Sequence, residues 1–189
     1  MKEAKGKYAI LGMLSITQMS GYDIKKRIEE SISNFWKESY GQIYPILKDL
    51  VAERLVTKKV EKGSGKPDRH LYALTERGRK ELQRWLSEGA TPKVERNELL
   101  LKLFFGEEVS LATNVHHIEL YRELQRGLLE KYQAIEKAIK DEYKNNSNLP
   151  YWLLTVRHGQ YVSQALLDWC DESLAQLKKL AKSSKRSKA

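Results

Sequence analysis

Apolar residues recur at helical spacing through the first fifty positions, switch once to strict alternation, and return to helical spacing for the rest of the chain. Tyr8, Ile10, Leu11, Leu14 and Ile16 share one face of a short first helix, which Gln18 and Met19 interrupt. A second helix of about three turns starts at Ser20, a side chain suited to N-capping. Its apolar side is Tyr22, Ile24, Ile28 and Ile32, and its wet side is Lys25, Lys26, Arg27, Glu29 and Glu30. After Asn34-Phe35-Trp36 comes a third helix, with Ser39 and Gln42 at capping-box spacing. Ile43, Ile46, Leu47, Leu50 and Val51 form its stripe, leaving Tyr40, Gln42, Tyr44, Lys48 and Asp49 for solvent. Pro45 is expected to kink this helix or to begin its regular part.

Beyond Arg54 the alternation of Leu55, Thr57, Lys59 and Glu61 with Val56, Lys58 and Val60 predicts a strand, and Arg69 to Leu74 a second. Lys62-Gly63-Ser64-Gly65-Lys66-Pro67-Asp68 is a turn cluster, so the pair reads as a two-stranded hairpin with a basic tip. Thr75 caps a helix carrying Leu82, Trp85 and Leu86 that ends near Gly89. Residues 90–93, with Pro92, form the expected boundary between a first domain at 1–89 and a second at 90–182. The second domain reads as three helices: a short one from about Glu95 to Phe105, a long one capped by Ser110, and a last one from Tyr151 to Leu180. The long helix carries Leu111, Val115, Ile118, Tyr121, Leu128, Tyr132, Ile135, Ile139 and Tyr143, a stripe that needs a partner helix. The last is apolar over so much of its circumference that two neighbours are expected, one from another subunit, which makes the second domain an all-α dimerisation domain. Residues 183–189 are expected to be a disordered basic tail.

Charge sharpens this division. The net charge is +9, made of +6 over residues 1–90, −3 over 91–176 and +6 over 177–189. A basic amino-terminal half suits a polyanionic partner, because each Lys or Arg contact to a phosphate releases condensed counterions. The single Cys170 allows no internal disulfide and fits a reducing, cytoplasmic setting. Lys2, Lys5 and Lys7 ahead of an apolar run superficially resemble a secretory leader, but no small-x-small cleavage pattern follows. Nothing approaches the ~20 apolar residues of a membrane span, so no membrane partner is expected.

Helix, helix, capped helix, basic-tipped hairpin, helix is the order of a winged helix-turn-helix, and the fold class expected is mainly α. A protruding helix fits the major groove of double-stranded DNA, about 12 Å wide, with the wing against the flanking backbone. Gln42 is placed to read a base edge, Tyr40 and Tyr44 to reach phosphates or thymine methyls, and Lys48 to neutralise a phosphate. Lys58, Lys59, Lys62, Lys66 and Arg69 supply sequence-independent attraction from the wing. No enzyme site, metal site or cofactor motif emerges. His116 and His117 are adjacent and diverge by about 100° on a helix, while Cys170 lies on an apolar face with no base nearby in sequence. A helical adaptor for another protein and a nonspecific DNA binder are the alternatives; an adaptor would expose an apolar patch where Gln42, Lys48 and Lys66 stand.

The stretches YAILGMLSITQMSGYDIKKRIEE, FWKESYGQIYPILKDLVAERLVT and GKPDRHLYALTERGRKELQRWL resemble the PadR family of bacterial transcriptional regulators. NELLLKLFFGE and LPYWLLTVRHGQY resemble the carboxy-terminal helical domain of the longer PadR proteins, so the likeness leaves out only the basic tail. The resemblance implies a homodimer gripping a pseudo-palindromic operator, usually as a repressor. It marks Ser39, Tyr40, Gln42 and Tyr44, within SYGQIYP, as recognition-helix contacts; Lys62, Lys66 and Arg69 rest mainly on charge. It also implies release by a small-molecule effector, phenolic acids and planar aromatic drugs being two classes. Tyr8, Trp36, Tyr151 and Trp152, with Arg157 and His158 for a carboxylate, are the expected lining of an apolar ligand pocket between the domains.

Overall fold

The computed structural model describes residues 5–36, 40–61, 69–90 and 96–186, the side chains of Tyr40 and of residues 182–186 excepted. Two compact units divide the chain, residues 1–93 and 94–189.

In the first unit α1 (Gly6–Ile16), β1 (Met19–Ser20), α2 (Gly21–Ser31), α3 (Tyr40–Ala52), β2 (Val56–Glu61), β3 (Arg69–Leu74) and α4 (Glu76–Ser87) enclose one core. Ile10 and Leu11 of α1, Ile24 of α2, and Ile43, Leu47 and Leu50 of α3 are almost completely buried in it. The stripe read from the sequence is thus the face that holds α3 down. The Tyr8 ring stacks on Trp85 of α4, centroids 4.4 Å apart, and closes one side. Its hydroxyl donates to Glu81 Oε1 (3.1 Å) and accepts from Arg84 Nη2 (3.2 Å), so α1 is tied to α4 by polar as well as apolar contacts.

Two local devices set the angle between α3 and the hairpin that follows. At the end of α3 the Leu55 amide donates to the Leu50 carbonyl and the Arg54 amide to that of Val51, with Arg54 at φ 58°. This is the Schellman closure, in which one left-handed residue ends the helix and turns the chain sharply. The Thr75 hydroxyl then caps α4 by accepting from the Gly78 amide, and donates back to the Leu55 carbonyl. Gly78 permits this junction: a β-carbon there would lie 2.1 Å from the Leu55 carbonyl oxygen.

The sheet has three antiparallel strands in the order β1-β3-β2, where the sequence predicted two. Val56 pairs with Leu74 and Glu61 with Arg69, while Met19 and Ser20 pair with Tyr72 and Leu71 on the far edge of β3. A two-residue strand has no alternation to reveal it; Met19 reads as a helix interruption and is in fact a buried edge residue.

The second unit consists of α5 (Glu98–Phe104), a short 3₁₀ turn (Gly106–Glu108), α6 (Leu111–Glu142) and α7 (Leu149–Arg186). Asn97 and Ser110 cap α5 and α6. The two long helices form an antiparallel hairpin, as three cross-contacts along it establish: Tyr143 edge-on to Trp152, Arg157 to Glu136, and Arg122 to Asp171. Gly159 lets the helices close in, since a β-carbon there would meet the Tyr132 ring at 2.5 Å. Among the described residues, Ile118, Cys170 and Leu174 form its buried apolar cluster.

Three further expectations need correction. Leu86 faces solvent rather than the core, because α4 buries only the side carrying Leu82 and Trp85. The first helical segment of the second unit is shorter than Glu95–Phe105, its cap falling at Asn97. The tail expected to be disordered from residue 183 continues α7 as helix to Arg186. Lys and Arg are good helix formers, and cations are favoured at a helix carboxy-terminus.

Candidate nucleic-acid interface

The outer face of α3 is polar. Gln42, Tyr44, Lys48 and Asp49 are exposed on it, opposite the buried Ile43, Leu47 and Leu50. The helix runs through Pro45 without a break. Proline has no amide hydrogen, so the rung to the Gly41 carbonyl is missing, a modest loss so close to the amino-terminus. Ser39, proposed to open the capping box, lies outside the described residues, as do Lys62 and Lys66; of Tyr40 only the backbone is described.

Beside α3 a surface groove of about 430 Å³ is bordered by Gly21, Tyr22 and Asp23 at the start of α2, by Tyr44, and by Arg69 and His70 at the foot of the wing. Three elements meet here because of the turn Ser20-Gly21-Tyr22-Asp23. The Ser20 hydroxyl accepts from the Asp23 amide (3.2 Å), and Asp23 Oδ2 accepts from the Ser20 amide (3.0 Å) and hydroxyl (2.7 Å), a complete capping box. Asp23 Oδ2 also receives Arg69 Nη2 from β3. Burial alone would raise the Asp23 carboxyl; Ser20 and Arg69 outweigh it and hold the group below the usual carboxylate range. Gly21 provides the second contact of the turn. The Tyr44 ring lies so close that a β-carbon on Gly21 would stand 2.8 Å from Cε1.

Of the residues expected to meet DNA, Gln42, Tyr44 and Lys48 therefore share the open face of α3, and Arg69, though exposed, is paired with Asp23. The turn that anchors it escaped the sequence reading, which took Ser20 only as a helix cap. The available signal was Ser20 and Asp23 at S-x-x-D spacing with an intervening glycine. Lys58 and Lys59 are exposed on β2.

The six residues expected to line a ligand pocket divide between the units. Tyr8 is 2% exposed, with its ring against Trp85 and its hydroxyl between Glu81 and Arg84, so it belongs to the core and offers no free face. Trp36, also in the first unit, is partly buried. On α7, Tyr151 and His158 are exposed, Trp152 packs edge-on against Tyr143, and Arg157 Nε lies 3.2 Å from Glu136 Oε1. Lys140, Gln160 and Arg157 hold that carboxyl at about 2 against burial.

Cys170 is buried as expected, and burial, aided by Asp171, raises its thiol, the opposite of what a nucleophile needs. Among the described residues no cluster of His, Cys, Asp or Glu could hold a metal ion, and no helix is long and apolar enough to cross a membrane.

Comparison with known proteins agrees with this architecture unit by unit. Residues 10–84 match the transcriptional regulator PadR-like family, and residues 95–178 match the virulence activator alpha C-terminal family. The chain is 32% identical over 139 residues to the negative transcriptional regulator PadR of Bacillus subtilis, covering 73% of this chain and 72% of that one. The crystal structure of Bacillus subtilis PadR in complex with operator DNA superposes with a TM-score of 0.80 at 27% identity, covering 90% of this chain and 98% of that one. The structure of the same protein with p-coumaric acid superposes with a TM-score of 0.75 at 26% identity, covering 91% and 98%. With a winged helix whose third helix turns its polar side outward, a helical second unit and these relatives, the chain belongs to the PadR-like family of transcriptional regulators and is not an enzyme.

Proposed function

We propose that the protein is a cytoplasmic, homodimeric, sequence-specific repressor that grips a pseudo-palindromic operator in double-stranded DNA and lets go when an aromatic small molecule binds. The observation that carries the reading is the two-sidedness of α3. Its apolar stripe is sealed in the core while Gln42, Tyr44 and Lys48 face outward beside a basic hairpin, and a relative with the same fold has been solved on operator DNA. Gln42 reads a base edge, Lys48 neutralises a phosphate, and Tyr44, Tyr40 and Ser39 contact the backbone or thymine methyls. Lys62 and Lys66 bring the wing to the flanking phosphates.

Dimerisation is supported by the apolar side chains that α5 to α7 leave exposed, Leu101, Phe104, Leu124 and Leu154 among them. The effector class is supported by the relative solved with p-coumaric acid. On this chain Tyr151, Trp152 and His158 offer aromatic contacts, and Arg157 offers a carboxylate partner that would have to be drawn from Glu136. An effector that favours the state with poorly spaced winged helices weakens DNA binding by the factor by which DNA weakens its own.

The test is a titration of the protein against the duplex upstream of its own gene, with a scrambled duplex as control, repeated with p-coumaric acid. Selective retention of the first duplex at 150–200 mM salt is expected, roughly a thousandfold over the control. Equal binding of both duplexes overturns the specific-regulator reading, and indifference to p-coumaric acid and related phenolic acids overturns the effector class. Gln42→Ala should relax sequence preference, and Lys66→Ala should weaken all duplexes alike.

A further inference from the structure

Arg69 is a cation at the foot of the wing, where simple charge counting makes it a phosphate contact. Its surroundings point elsewhere. Nη2 is directed at Asp23 Oδ2 and lies 3.5 Å from Ser20 Oγ, so the guanidinium is paired with a carboxylate that also caps α2. A cation already neutralised by a carboxylate releases few counterions when a phosphate approaches. The same four-residue turn receives Tyr44 from α3 on Gly21. One turn thus carries contacts from both elements that are meant to meet DNA: the recognition helix through Gly21 and the wing through Asp23. At its other end the hairpin is fixed by the Leu55 junction with Thr75 and Gly78, leaving the strand nearest the wing tip held sideways by β1 and by this ion pair.

We infer that Arg69 and Asp23 are positioning residues, an ion pair that sets the wing's distance from the recognition helix rather than a charge offered to DNA. This rests on the DNA-binding reading above and refines its wing. The pair is half open to solvent, so its worth is that of a surface pair with good geometry and a shared hub rather than a buried one. The contrast is with Lys48, an exposed cation on the DNA-facing side of α3.

The experiment measures the affinity of the full-length protein for the duplex upstream of its own gene from 50 to 400 mM salt, for the unaltered protein and for Lys48→Gln, Arg69→Gln, Asp23→Asn and the double variant. Lys48→Gln, the phosphate-contact reference, lowers the salt slope by about 0.9. Arg69→Gln is expected to weaken binding roughly fivefold, the scale of an exposed ion pair, with the slope unchanged. Asp23→Asn is expected to weaken it too, although removing a negative charge near DNA would by electrostatics alone strengthen binding. The double variant should be no weaker than the worse single one, since both substitutions break one interaction. A slope reduced by about 0.9 for Arg69→Gln, tighter binding by Asp23→Asn, additive losses, or no change in affinity for Arg69→Gln would each overturn the inference. Asp23→Asn also disturbs the α2 cap; should it melt early, Arg69→Gln, which leaves the capping box whole, decides by its slope. Failure of the unaltered protein to prefer its own duplex over a scrambled one instead strikes at the DNA-binding reading, and is seen before any variant is compared.

Discussion

The two units bury apolar surface in opposite ways. In residues 1–93 every helix and the sheet send side chains into one interior, and fifteen apolar residues are buried there. In residues 94–189, among the described residues, only Ile118, Cys170 and Leu174 are. Meanwhile Leu101, Phe104, Leu124, Leu154 and Tyr161 of that unit are all more than half exposed. Since apolar burial contributes roughly 25 cal/mol per Å², a two-helix hairpin that leaves such residues wet forgoes much of its own stabilisation. The first unit is complete within one chain. The second leaves apolar side chains uncovered, which the homodimer proposed above would cover.

The largest expected effect breaks that contrast directly. Leu101→Asp with Phe104→Asp places charge on the exposed side of α5, whose Leu103 packs inward against the Ile118 cluster. Burying a Leu or Phe contributes about 1.5–3 kcal/mol, and a two-fold interface counts each change twice, so dimer affinity should fall at least a hundredfold, or ~2.7 kcal/mol. Sedimentation equilibrium reads this. Tyr22→Asp, equally exposed but on the first unit, should leave the dimer intact. A dimer unaffected by the α5 changes would move the interface elsewhere on the hairpin.

This contrast also explains how much the sequence could reveal. Elements whose faces are settled within one chain are legible: the α3 stripe of Ile43, Leu47 and Leu50 is read correctly because the same residues are buried. Thr75 and Ser110 cap as their side-chain chemistry dictates. In the second unit the stripe along α6 places the helix, but which apolar side chains stay wet depends on tertiary packing that the pattern does not contain. In the candidate site the polar face of α3 is legible from period alone, whereas the Asp23–Arg69 pair joins residues 46 apart in the chain. It depends on β3 lying beside β1, a pairing too short to leave a pattern. Tyr8 shows the same limit. An aromatic residue at helical spacing serves as core more often than as ligand wall, and the stack on Trp85 puts Tyr8 in the core.

A smaller effect sharpens the comparison through acid. In each unit a carboxylate between helices is held at about 2: Glu81 in the first, Glu136 in the second. For Glu81 the strongest contribution is the Arg84 fork, with Tyr8 and Lys7 added and burial opposing. Because the folded value lies below the ordinary 4.5, the stabilisation is fully present above that value and is lost as pH falls from about 4.5 towards 2. The ideal figure for such a shift is ~3 kcal/mol, and the half-exposed Arg84 reduces it to roughly 1–2 kcal/mol. Glu81→Gln should therefore lower the urea midpoint of the first unit at pH 7 and flatten its decline between pH 4.5 and 2. An unchanged decline in the variant would assign the acid sensitivity to other carboxylates.

The smallest effect has the opposite sign and belongs to the first unit alone. Among the described residues Arg54 is the one non-glycine at positive φ, 58°, and it closes α3 immediately before the wing. A side chain in the left-handed region costs about 1–2 kcal/mol, because its β-carbon crowds the following carbonyl oxygen. Glycine removes that cost, and gives back about 0.4–1 kcal/mol through the greater freedom of the unfolded chain. Arg54→Gly should consequently stabilise the first unit by roughly 0.5–1 kcal/mol, raising its urea midpoint without altering the slope of the transition. The helical unit, with no such residue, should unfold as before. Because the Leu55–Leu50 and Arg54–Val51 bonds are made by backbone, the substitution keeps the turn that aims the hairpin, so affinity for the upstream duplex should change only by the loss of one exposed charge. A variant that is stabilised yet loses selectivity for that duplex would mean that the Arg54 side chain itself reaches the nucleic acid, and would extend the interface past the end of the recognition helix.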